Sequence, residues 1–265
     1  MRLCTWNVNS ARTRVERIIG VLQRHDIDVM AIQETKCRDD QFPFQPFIDA
    51  GYEVAHHGLN QWNGVAIISR VGLADIERGF AQQPGFSKDP AKEAVVEPRH
   101  IAAACGDIRI HSVYVPNGRA IDDPHYQYKL NFLAELRAAA ASSLADDQEA
   151  REVIVGDFNI APRDSDVWDI DFFDGKTHVT QPERDAYNAL ADAGFTDVTR
   201  QFTEGEWTYW DYQQLRFPKG EGMRIDFQLA SPALAACATD GFIDREERKG
   251  KGASDHAPVI VDYRS

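Results

Sequence analysis

The sequence predicts an α/β fold in which helices flank mixed β-sheets. Short apolar segments with strand character alternate with segments of helical period along all 265 residues, a pattern typical of α/β proteins. Several neighbouring strand segments are separated only by gaps of hairpin length, whereas a parallel pair needs a crossover of about a dozen residues or more. We therefore expect an α/β sandwich, with mixed sheets inside and helices outside, rather than a purely parallel barrel.

A strand–helix–strand unit opens the chain. Residues 3–8 have strand character, and a helix follows whose apolar residues recur at helical spacing: Val15, Ile18, Ile19 and Leu22. The apolar run 29–32 is expected to form a buried strand, and residues 65–69 the next one.

The same alternation continues to the end of the chain. Residues 109–115 alternate with period two and end at the turn signal Pro116-Asn117-Gly118. The remaining elements are expected to be helices over residues 126–144 and 185–193, the latter stopped near Gly194, and strands over residues 152–155, 224–230 and 258–262.

The charge balance leaves the substrate open. The chain has 29 basic and 42 acidic residues, a net charge of −13, which by itself argues against a nucleic-acid partner. That count averages over the whole surface, whereas DNA would contact a single face. Basic residues do cluster near the polar motifs, although solvated loop charges would give the same pattern. These residues are Arg12, Arg14, Lys36, Arg38, Arg216, Lys219, Arg245, Arg248, Lys249 and Lys251.

Cysteine usage and hydropathy predict a cytoplasmic protein. The four cysteines lie far apart and form no CxxC pair, which is typical of free thiols in a reducing compartment: Cys4, Cys37, Cys105 and Cys237. We see no secretory signal at the N-terminus and no apolar run near the roughly 20 residues that a membrane span needs. We expect no contact with a membrane.

Polar side chains gather at the expected strand ends, where loops of α/β proteins assemble their sites. Glu34 ends the apolar run 29–32, where a buried carboxylate would need a partner, and hard oxygen ligands suit Mg²⁺. The alternative is an exposed residue at the end of a strand. Other segments of this kind are Trp6-Asn7-Val8-Asn9, Gly156-Asp157-Phe158-Asn159, Arg224-Ile225-Asp226 and Ser254-Asp255-His256.

Asp157 and Asn159 follow a strand with a spacing of two residues, which points both side chains to one face of an extended chain. A carboxylate beside an amide can orient a water molecule against a phosphate. An Asx turn that caps the next segment is an equally good reading of the same residues.

His256 needs a partner that fixes its tautomer, and the adjacent Asp255 is poorly placed to orient the same ring. Asp226, at the end of another strand, is the obvious partner. An imidazole paired in this way stays protonated and can donate a charged hydrogen bond to a phosphate oxygen.

Taken in order, the motifs resemble those of the exonuclease III family of apurinic/apyrimidinic endonucleases, part of the endonuclease–exonuclease–phosphatase superfamily. They span residues 7 to 258: Asn7 in WNVNS, Glu34 in QETK, Tyr114 to Asn117 in YVPN, Asp157 and Asn159 in GDFN, Asp226 in RIDF, and SDHAP at 254–258. The resemblance implies a four-layer α/β sandwich of two packed mixed β-sheets flanked by helices. It also implies one catalytic domain over residues 1–265.

The resemblance also assigns roles at the site. Glu34 would hold Mg²⁺, with Mn²⁺ as a substitute, and the other residues implied around the metal are Asn7, Asp157, Asn159 and Asp255. Asp157 would activate or orient the attacking water, and Asn159 would help to hold the scissile phosphate. His256, oriented by Asp226, would stabilise charge on the phosphoryl oxygens, and Tyr114 would contact the phosphate or assist the leaving group.

Two features of the resemblance favour the DNA-repair branch of the superfamily. Lys36 beside Glu34 is similar to the repair enzymes' form of this motif. The segments 207–212 and 223–226 match the pocket that these enzymes build for a flipped-out abasic sugar, with Tyr209, Trp210, Met223 and Ile225 in its wall. The alternative is that these aromatic residues are ordinary core residues. Asn117, Arg119 and Lys129 are expected to bind the DNA.

The expected partner is double-stranded DNA with abasic sites or 3′ ends, bound by a monomer. The rival functions are a superfamily phosphatase or lipid phosphodiesterase, and a silent DNA-binding scaffold. Retention of Glu34, Asp157, Asp226 and His256 favours an active hydrolase. The motifs do not rank abasic endonuclease, 3′→5′ exonuclease, 3′-phosphatase and ribonuclease H activities, and they leave the general base, the number of metals and any repair partners open.

Overall fold

The structure is a computed structural model that describes residues 1–264. The strands are β1 (Arg2–Asn7), β2 (Val29–Gln33), β3 (Glu53–His57), β4 (Val65–Ser69), β5 (Ala74–Arg78), β6 (His100–Cys105), β7 (Ile108–Tyr114), β8 (Glu152–Asp157), β9 (Thr196–Asp197), β10 (Asp226–Ala230), β11 (Ala238–Ile243) and β12 (Val259–Tyr263). The helices are α1 (Val15–Arg24), α2 (Phe44–Asp49), α3 (Pro124–Asp146), α4 (Gln181–Asp192), α5 (Arg216–Lys219) and α6 (Pro232–Ala235). Among the helices of these residues, none combines the length and the apolar character that crossing a membrane requires.

The strands of the described residues form two six-stranded sheets. Their orders are β11-β12-β1-β2-β4-β3 and β5-β6-β7-β8-β10-β9. Both sheets are mixed, because β1 runs parallel to β2 and β7 runs parallel to β8, while the other neighbours are antiparallel. This confirms the predicted mixed sheets.

Apolar side chains fill the space between the two sheets, and others cover the outer face of each sheet. Since successive residues of a strand face opposite sides, Leu3 of β1 packs in the core between the sheets, while Trp6 packs toward the helices. Helices α1 and α2 cover the outer face of the first sheet, and α3 and α4 cover the second. The result is a four-layer α/β sandwich, as the resemblance implied.

The sequence-based boundary of α4 was wrong by four residues. The helix begins at Gln181 and not near residue 185, because Thr180 and Glu183 form a capping box that satisfies the first free backbone N–H groups. Four longer strands were not anticipated: β3, β5, β6 and β11. Strand β5 lies at a sheet edge with all five residues exposed, so it shows no alternation of apolar and polar residues.

The two sheets bring polar residues from distant parts of the chain to one edge. In the second sheet, Asp157 at the end of β8 pairs with Tyr114 of β7 on one side and with Asp226 of β10 on the other. In the first sheet, Asn7 ends β1 opposite Gln33 of β2, so that the next residue, Glu34, leaves the sheet at the same edge. The expected site residues therefore meet where the strands end.

Candidate active site

A cleft of about 370 Å³ opens at this edge between the two sheets. Most of the polar residues singled out in the sequence line it: Glu34, Tyr114, Asn117, Asp157, Asn159, Asp255 and His256. One wall is aromatic and apolar, with Trp168, Phe172, Phe173, Tyr209, Met223 and Ile225. The cleft thus combines a polar floor with an apolar wall, as expected of a site for a small ligand group.

Asn7 joins the two carboxylates on the floor of the cleft. Its Nδ2 donates to Oε1 of Glu34 at 2.8 Å and to Oδ2 of Asp157 at 2.9 Å. Its Oδ1 accepts from the backbone N–H of Asn9 at 3.0 Å. In this orientation Asn7 holds the acidic residues in place as a donor, and its expected place near the metal remains a prediction.

The segment around Glu34 is strained and tightly held. Glu34 and Lys36 both have left-handed backbone angles, φ 54° and 53°, which cost energy for residues with a Cβ. Lys36 Nζ lies 2.8 Å from Oε2 of Glu34 and donates to Asn9 Oδ1 at 2.6 Å. Burial opposes ionisation of Glu34, but Lys36 and Asn7 outweigh it and lower the pKa of this carboxyl. Glu34 is therefore charged, and Lys36 is engaged with Glu34 and Asn9.

Glu34, Asp157 and His256 are near enough to share one metal ion, since one ligand atom from each lies within 4.8 Å of the others. The imidazole is held by Asp226 and carries a raised pKa, which disfavours it as a ligand. The two carboxylates remain, and oxygen donors of this kind fit a hard divalent cation. Asp255 lines the same cleft, but its Oδ1 accepts from Asn9 Nδ2 at 3.1 Å and it is not part of this group.

His256 and Asp226 form a buried charged pair. Nδ1 of His256 lies 2.9 Å from Oδ2 of Asp226, and Thr208 Oγ1 donates to the same oxygen at 2.6 Å. Nε2 of the ring is 3.7 Å from Oδ2 of Asp157. Burial favours the neutral ring, but Asp226 and Asp157 outweigh it and raise the pKa of His256 to about 10. The imidazole is thus a cation at neutral pH.

Asp157 is the carboxylate best suited to accept a proton. It is 1% exposed, and burial together with the charges of Asp226 and Glu34 raises its pKa to about 7, against the opposing effect of His256. A carboxyl that titrates near neutral pH can act as a general base. Tyr114 stands beside it with a pKa raised well above its usual value by burial and by Glu34, so its phenol keeps its proton and remains a donor.

A second polar network lies on the opposite side of Asp157. Asn159 Oδ1 accepts from Asn117 Nδ2 at 3.1 Å and lies 3.1 Å from Nε2 of His178. Burial, with Lys129 nearby, lowers the pKa of His178 to about 3, so this ring is neutral. Sequence reasoning missed His178, because a lone histidine in a loop carries no motif. It also missed the aromatic wall formed by the segment 168–173.

Three expected DNA-binding residues do not line the cleft. Trp210 is 1% exposed and packs against Phe217, because it follows Tyr209 in extended chain and so faces away from the cleft. Arg119 is exposed outside the cleft, with its guanidinium 5.5 Å from the ring centre of Phe86. Lys129 is fully buried, so the expectation that it contacts DNA was wrong.

The chain is similar to known proteins in both sequence and fold. The model of the Endonuclease/Exonuclease/phosphatase family matches residues 4–256. Exodeoxyribonuclease III of Haemophilus influenzae is 28% identical over 274 residues, which is 100% of each chain. A Neisseria 3′ phosphatase, NExo, solved with a product DNA hairpin, superimposes with TM-score 0.91 at 34% identity over 100% of both chains. An AP endonuclease from Archaeoglobus fulgidus gives TM-score 0.91 at 33% identity over 100% of both chains.

Proposed function

Because this chain belongs to the Endonuclease/Exonuclease/phosphatase family, we propose that it is a metal-dependent DNA-repair nuclease of the exodeoxyribonuclease III type. The observation that carries the proposal is a buried series of three side chains, Asp157, His256 and Asp226, which lies beside Glu34 at the floor of the cleft. The names of the similar proteins, an exodeoxyribonuclease III, a 3′ phosphatase bound to DNA and an AP endonuclease, support the same reaction class.

The substrate is a DNA phosphodiester, cleaved 5′ to an abasic site or at the 3′ end of a duplex. The apolar wall of Tyr209, Met223 and Ile225 suits a deoxyribose that lacks its base, and a normal nucleotide would be excluded by size. Flipping of the damaged nucleotide is then the step that selects it. A lipid phosphodiesterase or a silent scaffold is the alternative that the experiment below tests.

Glu34 and Asp157 are the residues that would hold Mg²⁺, or Mn²⁺ in its place, with Asn159 and Asp255 at the margin of the site. The cation, when bound, supplies charge neutralisation at the phosphate and help for the leaving oxygen. Asn7 fixes both carboxylates, because its side-chain NH2 group donates a hydrogen bond to each of them.

The remaining chemistry belongs to the chain's own side chains. Asp157 takes the proton of the attacking water, and a carboxyl pKa of about 7 suits that task. His256, held as a cation by Asp226, donates a charged hydrogen bond to a phosphoryl oxygen. Tyr114 donates to the phosphate or to the leaving 3′ oxygen.

Positioning of the DNA falls to residues on either side of the cleft. Asn117 and Asn159 hold the scissile phosphate through their linked amides. Lys36 and Arg119 contact the DNA backbone at the edge of the cleft. Trp210 packs behind the aromatic wall of the cleft and supports it. We place the protein in the cytoplasm, which its free thiols support. We also propose that it is a monomer with one catalytic domain over residues 1–265.

The experiment uses a 5′-labelled duplex that carries one abasic analogue, beside an intact blunt duplex, each with Mg²⁺ and with EDTA. Metal-dependent incision on the 5′ side of the lesion, leaving a 3′-hydroxyl, is the expected result. A ladder that shortens the intact duplex from its 3′ end would measure the exonuclease. If neither duplex is cut with any divalent cation, while a phosphoinositide or sphingomyelin is hydrolysed, the substrate assignment is wrong.

A further inference from the structure

A fully buried ion pair lies under the loops that form one side of the cleft. Lys129 of α3 and Glu183 of α4 are each 0% exposed, and Nζ lies 2.5 Å from Oε1. The same ammonium donates to the backbone oxygen of Asn159 at 2.6 Å and to that of Asn117 at 3.3 Å. All three hydrogens of this lysine therefore have acceptors, and two of those acceptors belong to residues of the cleft.

Glu183 holds a third segment. Its Oε1 also accepts from Thr177 Oγ1 at 2.5 Å, and its Oε2 accepts from the backbone N–H of Thr180 at 3.1 Å. Thr177 precedes His178, whose ring lines the cleft. The pair thus anchors the loops that carry Asn117, Asn159 and His178, whose side chains contact one another above it.

Stability alone does not account for two charges at this place. Removing two ions from water costs several kcal/mol for each, and apolar residues of similar volume often stabilise a protein equally well or better. An apolar residue at position 129, however, would leave the carbonyls of Asn117 and Asn159 without this donor. The backbone of Asn159 needs such support, because its φ of 51° is left-handed. Its N–H donates to Asp157, and its side chain donates to the carbonyl of Val115 at 3.0 Å.

The fit of the loop against the pair is close. Gly118 has a φ of +90°, and a Cβ there would lie 2.8 Å from Thr177 Oγ1 and 3.2 Å from Cδ of Lys129. Small displacements of the pair are therefore passed to the neighbouring Asn117 rather than absorbed by empty space.

We propose that Lys129 and Glu183 are positioning residues, which set the loops that place Asn117 and Asn159 against the scissile phosphate. The inference rests on the proposed function and adds residues that do not themselves contact the DNA. A displacement of about 1 Å in a group that holds a reacting phosphate can cost on the order of 100-fold in rate.

The test removes both charges together, with Lys129→Met/Glu183→Gln, so that neither ion is left buried alone. Turnover of the abasic duplex in single-turnover conditions is expected to fall by about 10- to 100-fold. The Tm should fall by a few degrees, on the order expected for buried carbonyls that lose a donor, while the Kd for DNA, measured in EDTA, should stay near that of the wild type. The matched control is Arg2→Met/Asp262→Asn, which removes a partly buried pair at the other end of β1 and should leave turnover unchanged.

A milder pair of variants decides the matter if the double variant fails to fold. Thr177→Val removes one hydroxyl beside the ion pair and should lower turnover about fivefold, the equivalent of one hydrogen bond. Thr177→Ser keeps that hydroxyl and should restore turnover.

Three results would overturn the inference. Wild-type turnover in the folded double variant or in Thr177→Val does so directly, and so does a lower Tm with unchanged turnover per folded molecule, which is the mark of a purely structural pair. If the wild type itself cleaves no DNA, the proposed function fails and takes this inference with it.

Discussion

Nδ1 of His256 and Oδ2 of Asp226 lie 2.9 Å apart, although 30 residues separate them along the chain. Asp226 begins β10 in the second sheet, while His256 lies in the loop before β12 of the first sheet. The pair therefore joins the two halves of the sandwich at the floor of the cleft. It also fixes Nε2 of the imidazole 3.7 Å from Asp157.

Asp226→Asn is expected to lower turnover by on the order of 100-fold or more, because His256 loses both its orientation and the charge that raises its pKa. The pKa of His256, followed by NMR, should fall in the same variant. Asp240→Asn, an exposed residue of β11, serves as the control and should be silent. Full activity of Asp226→Asn would remove Asp226 from the mechanism.

The rate of DNA cleavage should show a bell-shaped dependence on pH. Asp157 acts once it has lost its proton, and its pKa is raised to about 7, so the rate increases with pH up to that region. A bound cation favours the carboxylate and places the midpoint at or below about 7. His256 acts while protonated, with a pKa of about 10, so the rate falls again above that pH. Profiles of kcat/KM from about pH 5 to about pH 10.5 test this, and a flat profile contradicts it.

Glu34→Gln should weaken the binding of the catalytic cation, because the variant keeps the size of the side chain and loses its charge. The Mg²⁺ concentration for half-maximal rate is expected to rise at least tenfold, on the order of the cost of disturbing a metal site. Binding of Mn²⁺, followed by electron paramagnetic resonance, gives a readout without turnover. Asp255→Asn is the comparison and should have the smaller effect, since Asp255 lies outside the group of close ligand atoms. Equal effects would argue against Glu34 as the main ligand.

Met223→Ala shortens a side chain in the wall of the cleft, so it should widen the cleft and weaken the exclusion of intact nucleotides. The ratio of 3′→5′ exonuclease to abasic incision is expected to rise several-fold, while the free energy of unfolding falls by about 2 kcal/mol or more. Met30→Ala, in the core under the helices, should destabilise the protein without changing that ratio. If both variants change the ratio alike, the wall does not select the substrate.

The sequence was informative where a residue type and its place at a strand end recur as an ordered motif. Glu34, Asp157, Asp226 and His256 were all singled out in this way, and the structure brings them together. The same reasoning gave the mixed sheets, because hairpin-length gaps between strands restrict the topology. The roles of these four residues in the reaction remain predictions that the variants above test.

Other features depend on contacts that no local pattern reveals. A lysine in a helix is usually solvated, and the burial of Lys129 depends on Glu183, 54 residues away, and on the carbonyls of Asn117 and Asn159. Which of two adjacent aromatic residues faces the cleft depends on the path of the chain, so Tyr209 and Trp210 were not distinguished. His178 enters the cleft because its loop is held by the same buried pair.

The proposed reaction depends above all on Asp157, which activates the water that cleaves a DNA phosphodiester. Its most direct test is the single-turnover rate of Asp157→Asn on the abasic duplex with Mg²⁺, measured beside the Kd for the same DNA. The amide keeps the shape of the side chain and one of its two accepting oxygens, which accept from Asn7 and from the N–H of Asn159. It does not accept the proton, so the rate should fall by a factor on the order of 100 to 10,000 while the Kd changes by less than about twofold. A rate near that of the wild type would rule out Asp157 as the group that activates the water.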